Sequence, residues 1–185
     1  MPRWGPDADD RLYRAAMQLI LERGYDGVTV AQIAEHAGLT KRSFFRHYAD
    51  KREVMFAGAA DFERGVVETV RAAPADGAPA DVVVAALTEG GAGLAAWGEP
   101  VRQRQRMVAA STELRERELI KMEALTAAVA AALRDRGVDS LTAVLTAQVG
   151  AAAFTTAFLR WTDEPDGDFR AIMADTVARL REAIR

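Results

Sequence analysis

Between Thr40 and Tyr48 the chain reads T-K-R-S-F-F-R-H-Y, and five of these side chains carry the chemistry: Lys41, Arg42, Ser43, Arg46 and His47. On a helix they lie on its outside, leaving Phe44 to face inward. Arginine matches guanine O6 and N7 with two donors, and lysine, serine and histidine suit phosphates or base edges. From Thr40 to Arg52 there are five basic residues and a single acid, Asp50. The set points to nucleic acid. Metal binding is not expected, since His36 and His47 are the two histidines and cysteine is absent. The lack of cysteine also excludes a disulfide scaffold, a thiol nucleophile and an iron–sulfur cluster. No Gly-rich phosphate loop, HExxH motif or pair of Glu-x-x-His motifs occurs, so no catalytic residue, no cofactor and no enzyme activity are expected. Glu35 and His36 are adjacent, but successive helical residues point about 100° apart. The competing assignment is an all-helical carrier or enzyme that does not bind DNA.

Net charge over the 185 residues is −3, from 24 Lys and Arg against 27 Asp and Glu, which taken whole argues against nucleic acid. Resolved along the chain it does not. Residues 1–52, Arg3 included, hold nine basic and seven acidic residues, net +2, and the remainder fifteen and twenty, net −5. Half the residues are apolar and 28% are charged, a globular balance. The start, MPRWGPDADDR, has no apolar signal-peptide segment, and Ala124–Leu133, the most apolar stretch, is about half a bilayer span. A cytoplasmic protein with no membrane association is expected.

The elements that must hold the basic residues read as helices. Leu12, Ala15, Ala16, Leu19 and Ile20 recur on one face of a first helix, with Asp7, Asp9 and Asp10 at its start and Gly24 at its end. Thr29 has N-cap chemistry for a short helix with Val30, Ile33, Ala34 and Ala37 inward. Gly38 breaks it, and Thr40 caps Lys41–Tyr48. Two short helices meeting across Ala37-Gly38-Leu39-Thr40, with Ile33, Leu39 and Phe44 between them, form a helix-turn-helix whose second member fits the major groove. An ordinary helical hairpin with a solvated basic face has the same pattern. Asp50 caps a fourth helix to about Arg71. After a connection over 73–80, helices are expected at 81–97, from Pro100, at 113–136, from a Ser140 cap to Trp161, and at 169–185. The fold is all-α with about nine helices, dividing into 1–52 and 53–185.

Thr29-x-x-x-Ile33-Ala34, Ala37-Gly38-Leu39-Thr40, Phe44-Phe45, Tyr48-x-x-Lys51 and the Gly24-Tyr25 exit of the first helix together resemble the tetracycline-repressor (TetR) family of bacterial regulators over the first ~70 residues. The resemblance implies that Thr29 and Thr40 set helix starts against phosphates, that Lys51 meets the DNA backbone, and that Lys41, Arg42 and Ser43 read bases. Arg46 and His47 lie beside them. Phe45 stands where the family usually has tyrosine, which removes a hydroxyl–phosphate contact; a thymine methyl or a backbone sugar remains for its ring. Arg42 replaces a small residue, so the sequence read should differ.

The family also implies a homodimer through the last two helices and a small apolar effector. For the dimer, the candidates are Leu141, Val144, Leu145, Val149, Ala152, Ala153 and Thr156, then Ile172, Met173, Thr176, Val177, Leu180 and Ile184; the alternative is that these stripes pack on their own domain. For the effector, Phe62, Val66, Trp97, Met107, Met122, Leu125, Phe154 and Phe158 are the candidate lining, although each alone suits ordinary core. Arg102, Arg104 and Arg106 suit an anionic headgroup or a solvated face shared with Glu113, Glu116 and Glu118. The Phe44-Phe45-Arg46 wording, this arginine segment and Trp161 are similar to an actinobacterial branch in which some members sense acyl-CoA thioesters. A ligand-responsive repressor is the function implied.

Overall fold

The computed structural model describes residues 8–184, so Arg3, Asp7 and Arg185 lie outside the described residues. Among the described residues the regular structure is helical, in ten helices. The first is α1 (Ala8–Arg23), followed by α2 (Val30–His36), α3 (Lys41–His47) and α4 (Lys51–Val54). Next come α5 (Ala59–Ala72), α6 (Pro79–Ala95) and α7 (Glu99–Ala110), then α8 (Thr112–Asp135), α9 (Ser140–Asp163) and α10 (Phe169–Ala183). The tenth helix arises because the expected helix from Lys51 to Arg71 breaks. Gly58 adopts φ +83, a conformation that ends helices, and α5 starts beside it. At α9 the cap is Asp139, whose carboxylate accepts from the Thr142 N–H, while Ser140 is the first helical residue.

Packing divides the chain into two compact units. One comprises the residues up to Ala59 together with Arg102–Leu119; the other comprises Ala60–Val101 and Ile120 onward. The first unit is built on Leu12, Ala16, Leu19, Ile33 and Phe44, with Val54, Met55, Met107, Val108 and Leu114 closing the core. Residues 53–59 and 102–119 are thus part of the packing around the helix-turn-helix, which a boundary after residue 52 leaves out.

In the second unit α9 packs against both α6 and α10. Close approach is possible where a side chain is missing: a Cβ on Gly91 would sit 2.3 Å from the Phe169 ring, and one on Gly150 2.5 Å from Val83. The connection over 73–78 is held by Arg136, which donates to the carbonyls of Ala73 at 2.5 Å and Pro74 at 2.6 Å. The α10 stripe expected at a dimer surface turns inward instead. Ile172, Met173, Thr176 and Val177 are buried and Leu180 packs on the same core, leaving Ile184 exposed. On α9, Ala153 is buried, whereas Leu141, Val144, Leu145, Val149, Ala152 and Thr156 are exposed. By length and composition α9 could cross a membrane, which the sequence did not suggest, but Ala147, Phe154, Ala157 and Phe158 on its other face belong to the core of the unit.

Candidate nucleic-acid interface

The turn between α2 and α3 is built from local chemistry. Thr29 accepts from the Gln32 N–H while the Gln32 side chain accepts from the Thr29 N–H, a complete capping box. Gly38 takes φ +66, and the Leu39 N–H returns to the Ala34 carbonyl at 2.8 Å. A long-range contact then fastens the turn: the Arg11 guanidinium on α1 donates to the carbonyls of Ala37 and Gly38. Thr40 accepts from the Ser43 N–H at 3.1 Å and starts α3. Phe44 is fully buried among Leu12, Ile33 and Val54, which fixes the rotation of α3.

Lys41, Arg42, Phe45 and Arg46 are therefore exposed on one face. Ser43 is half-buried at its edge, with its hydroxyl 3.1 Å from that of Thr40. His47 departs from the expected outer face. It follows Phe44 by three residues, so it shares the inward side of the helix. Its Nδ1 lies 2.9 Å from the Asp9 carboxylate of α1, and its Nε2 is buried without a partner among the described residues.

Lys51 opens α4 behind the Asp50 cap. Burial raises the Asp50 pKa, but hydrogen bonds from the Arg52 side chain and from the Glu53 and Arg52 N–H groups outweigh it and hold the carboxyl below its ordinary value. The Lys51 ammonium donates to the carbonyls of Tyr25 at 2.8 Å and Val28 at 3.0 Å, and lies 3.9 Å from the centre of the Tyr25 ring. Burial, followed by the Glu113 carboxylate beside it, pushes the Tyr25 phenol far above its ordinary range, so the ring stays neutral under the ammonium. An ammonium has three N–H groups, and these two carbonyls take two of them. Lys51→Ala should consequently have two effects. The first unit should lose about 1–3 kcal/mol of stability in urea titration, from two charge-assisted bonds and a cation–π contact. The salt slope of DNA binding should fall by about one per head. An unchanged urea midpoint would contradict the seat on Tyr25.

The candidate effector residues separate. Val66, Leu125, Phe154 and Phe158 are buried in the core of the second unit, with Phe62 and Met122 packed against it. Phe62 and Phe158 flank Phe154, with ring centroids 5.5 and 5.7 Å away. Met107 instead belongs to the core of the first unit, and Trp97 is 74% exposed. A cleft of about 520 Å³ opens in the second unit, lined by Glu89, Ala92, Gly93 and Ala95 of α6, its cap Ala96, and Trp161, Gly167, Asp168, Phe169 and Arg170. None of the eight candidates lines it. Arg102 is buried, and Arg104 is committed within the first unit: it donates to the Met55 carbonyl at 2.9 Å, pairs with Glu118 and lies over the Phe56 ring.

The positioning roles of Arg11, Asp9 and Tyr25 have no signal in the sequence, although Asp9 and Tyr25 figure there for local reasons. Each acts on a partner more than twenty residues away, beyond any local spacing rule.

Residues 12–57 match the family model described as bacterial regulatory proteins, tetR family. The HTH-type transcriptional regulator TcmR of Streptomyces glaucescens is 38% identical over 66 residues, 36% of this chain and 29% of TcmR, so the match spans less than a third of that protein. FadR of Thermus thermophilus, a TetR-family transcriptional repressor in complex with lauroyl-CoA, superposes with TM-score 0.59 at 25% identity, over 96% of this chain and 95% of that one. A SmeT–triclosan complex superposes with TM-score 0.65 at 19% identity, covering 93% and 90% of the two chains, which is a likeness of fold. The head, with its capped α2 and α3, thus matches the tetR family of bacterial regulatory proteins over residues 12–57, and the chain as a whole has the helical fold of the superposed regulators.

Proposed function

We propose that the chain is a one-component transcriptional repressor that binds operator DNA as a homodimer and is released by a small apolar effector, with DNA binding in the first packing unit and effector binding and dimerisation in the second. The observation that carries this reading is the outward face of α3, where Lys41, Arg42, Phe45 and Arg46 stand exposed around a core-anchored Phe44. Thr29, Thr40, Ser43 and Lys51 support the same surface, and His47 supports it from behind. In a dimer two such heads read half-sites about one helical turn apart.

Dimerisation is favoured by the α9 stripe of Leu141, Leu145, Val149, Ala152 and Thr156, exposed at helical spacing. On α10 the small exposed residues Ala171, Ala174 and Ala178 would supply the neighbouring surface in place of the buried stripe. A protein confined to the cytoplasm suits this role. The lauroyl-CoA in Thermus thermophilus FadR favours an acyl-CoA-like effector. Such a ligand must bind the non-DNA arrangement more tightly, or it shifts nothing.

The test is a gel shift on the DNA flanking the gene, with and without lauroyl-CoA. A specific band that lauroyl-CoA dissolves supports the whole reading; a band indifferent to it keeps the regulator and removes this effector. Absence of any specific band would leave a carrier. Arg42→Ala is expected to cost about 1–3 kcal/mol on the operator and to relax the preference at one base pair. Equal losses on operator and random DNA would sink the base-reading role.

A further inference from the structure

We infer that the cleft of the second unit binds a small organic cation, an ammonium group joined to a flat apolar body. Its volume, about 520 Å³, falls in the range that holds a drug-sized molecule. Ala92, Gly93, Ala95 and Ala96 leave the α6 side almost bare, and the buried Trp161 and Phe169 back the cavity. Two neighbouring glycines of α6 are explained by packing. A Cβ on Gly90 would sit 2.9 Å from the Phe62 ring, and one on Gly91 2.3 Å from that of Phe169. Gly93 is different. A Cβ there would meet nothing within 4 Å, although glycine is among the poorest helix formers. The room that Gly93 leaves is room in the cleft.

The charges of the lining select the sign of the ligand. Two acids, Glu89 and Asp168, stand against one base, Arg170. Glu89 and Arg170 satisfy each other: two guanidinium nitrogens donate to the carboxylate and hold it below its ordinary pKa. Asp168 therefore sets the net sign. One of its oxygens accepts from the Arg170 N–H at 3.1 Å and caps α10, and the other has no hydrogen-bond partner among the described residues. The α6 helix also ends at the cleft, and a helix C-terminus favours positive charge. An anion would have to take Arg170 from Glu89 and would then face Asp168. One residue beyond Ala96, Trp97 is 74% exposed. Indole is the aromatic ring that attracts cations best, and one peptide unit from the cleft wall it can reach a molecule bound there.

The test is isothermal titration calorimetry of the full-length chain, without DNA, against probes of one shape: phenylpropylamine, phenylpropanol and phenylpropionate. The amine is expected to bind saturably, and about tenfold or more tightly than the alcohol or the acid, the worth of one charge-assisted hydrogen bond. Gly93→Leu should abolish that binding by filling the cleft. Its melting temperature should be unchanged or raised, since leucine is the better helix former. Asp168→Asn keeps a capping side chain and removes the charge, so it should erase the preference for the amine over the alcohol. Equal binding of all the probes, no saturable heat with the amine, or undiminished amine binding in Gly93→Leu overturns the inference. With no DNA in the cell, each of these outcomes leaves the regulator reading standing.

Discussion

Operator affinity is expected to fall on the order of 10³-fold as monovalent salt is raised from about 50 to about 200 mM. The number follows from the cations that are placed to meet phosphates. On each head Lys41 and Arg46 flank the reading face, and Lys51 retains one N–H after bonding Tyr25 and Val28. Two heads give about six phosphate contacts, hence a log–log slope near −5, since each neutralised phosphate releases about 0.9 of a counterion. The acidic body does not enter this count: net charge outside residues 1–52 is −5, but condensed counterions are displaced only where cations touch DNA. Fluorescence anisotropy over a salt series measures the slope. A value no steeper than about −3, the slope of one head, would mean that fewer than two heads engage, and the dimeric mode of binding would be wrong.

Phe44→Ala should cost about 3–5 kcal/mol of stability in urea unfolding, while Phe45→Ala, one residue away, should stay within about 0.5 kcal/mol. Phe44 is 0% exposed and belongs with Leu12, Ile33 and Val54 to the core of the first unit, with the Tyr48 ring 5.7 Å away. Truncation leaves a cavity among α1, α2 and α4, which close packing cannot refill. Because the same ring fixes the rotation of α3, the surviving folded fraction should also lose operator preference. Comparable costs for the two variants would show that the helix is not anchored as described.

Much of the head was legible in the sequence because its signals are local. The caps at Thr29, Thr40 and Asp50 each act within three residues, so identity and spacing suffice to locate them. The same holds for Gly24 and Gly38, whose positive φ ends α1 and turns α2 into α3. Periodicity was weaker on its own. It misplaced His47 although Phe44 was expected inward, because His47 lies at the border of that face and is drawn in by the distant Asp9 of α1. Nor did it separate the two uses of an apolar stripe: Ile172, Met173 and Val177 fill the core, whereas Leu141, Leu145 and Val149 face outward. Apolar residues at helical spacing say that a face will be covered and not by what.

The candidate effector set shows the same boundary. Val66, Leu125, Phe154 and Phe158 gather as expected of buried aromatic and aliphatic side chains. Met107 joins the other unit, and Trp97 stays in solvent, since which helices become neighbours is a long-range matter. By itself, then, the sequence determined the helical fold, the capped turn and the cationic stretch from Lys41 to Arg52. Tertiary structure alone decided the seating of Lys51 on Tyr25, the grip of Arg11 on the turn and the withdrawal of His47 onto Asp9. The physical reason is distance along the chain. Caps and turns are satisfied within a few residues, but a guanidinium or an ammonium seeks carbonyls wherever folding brings them, and here they lie more than twenty residues away.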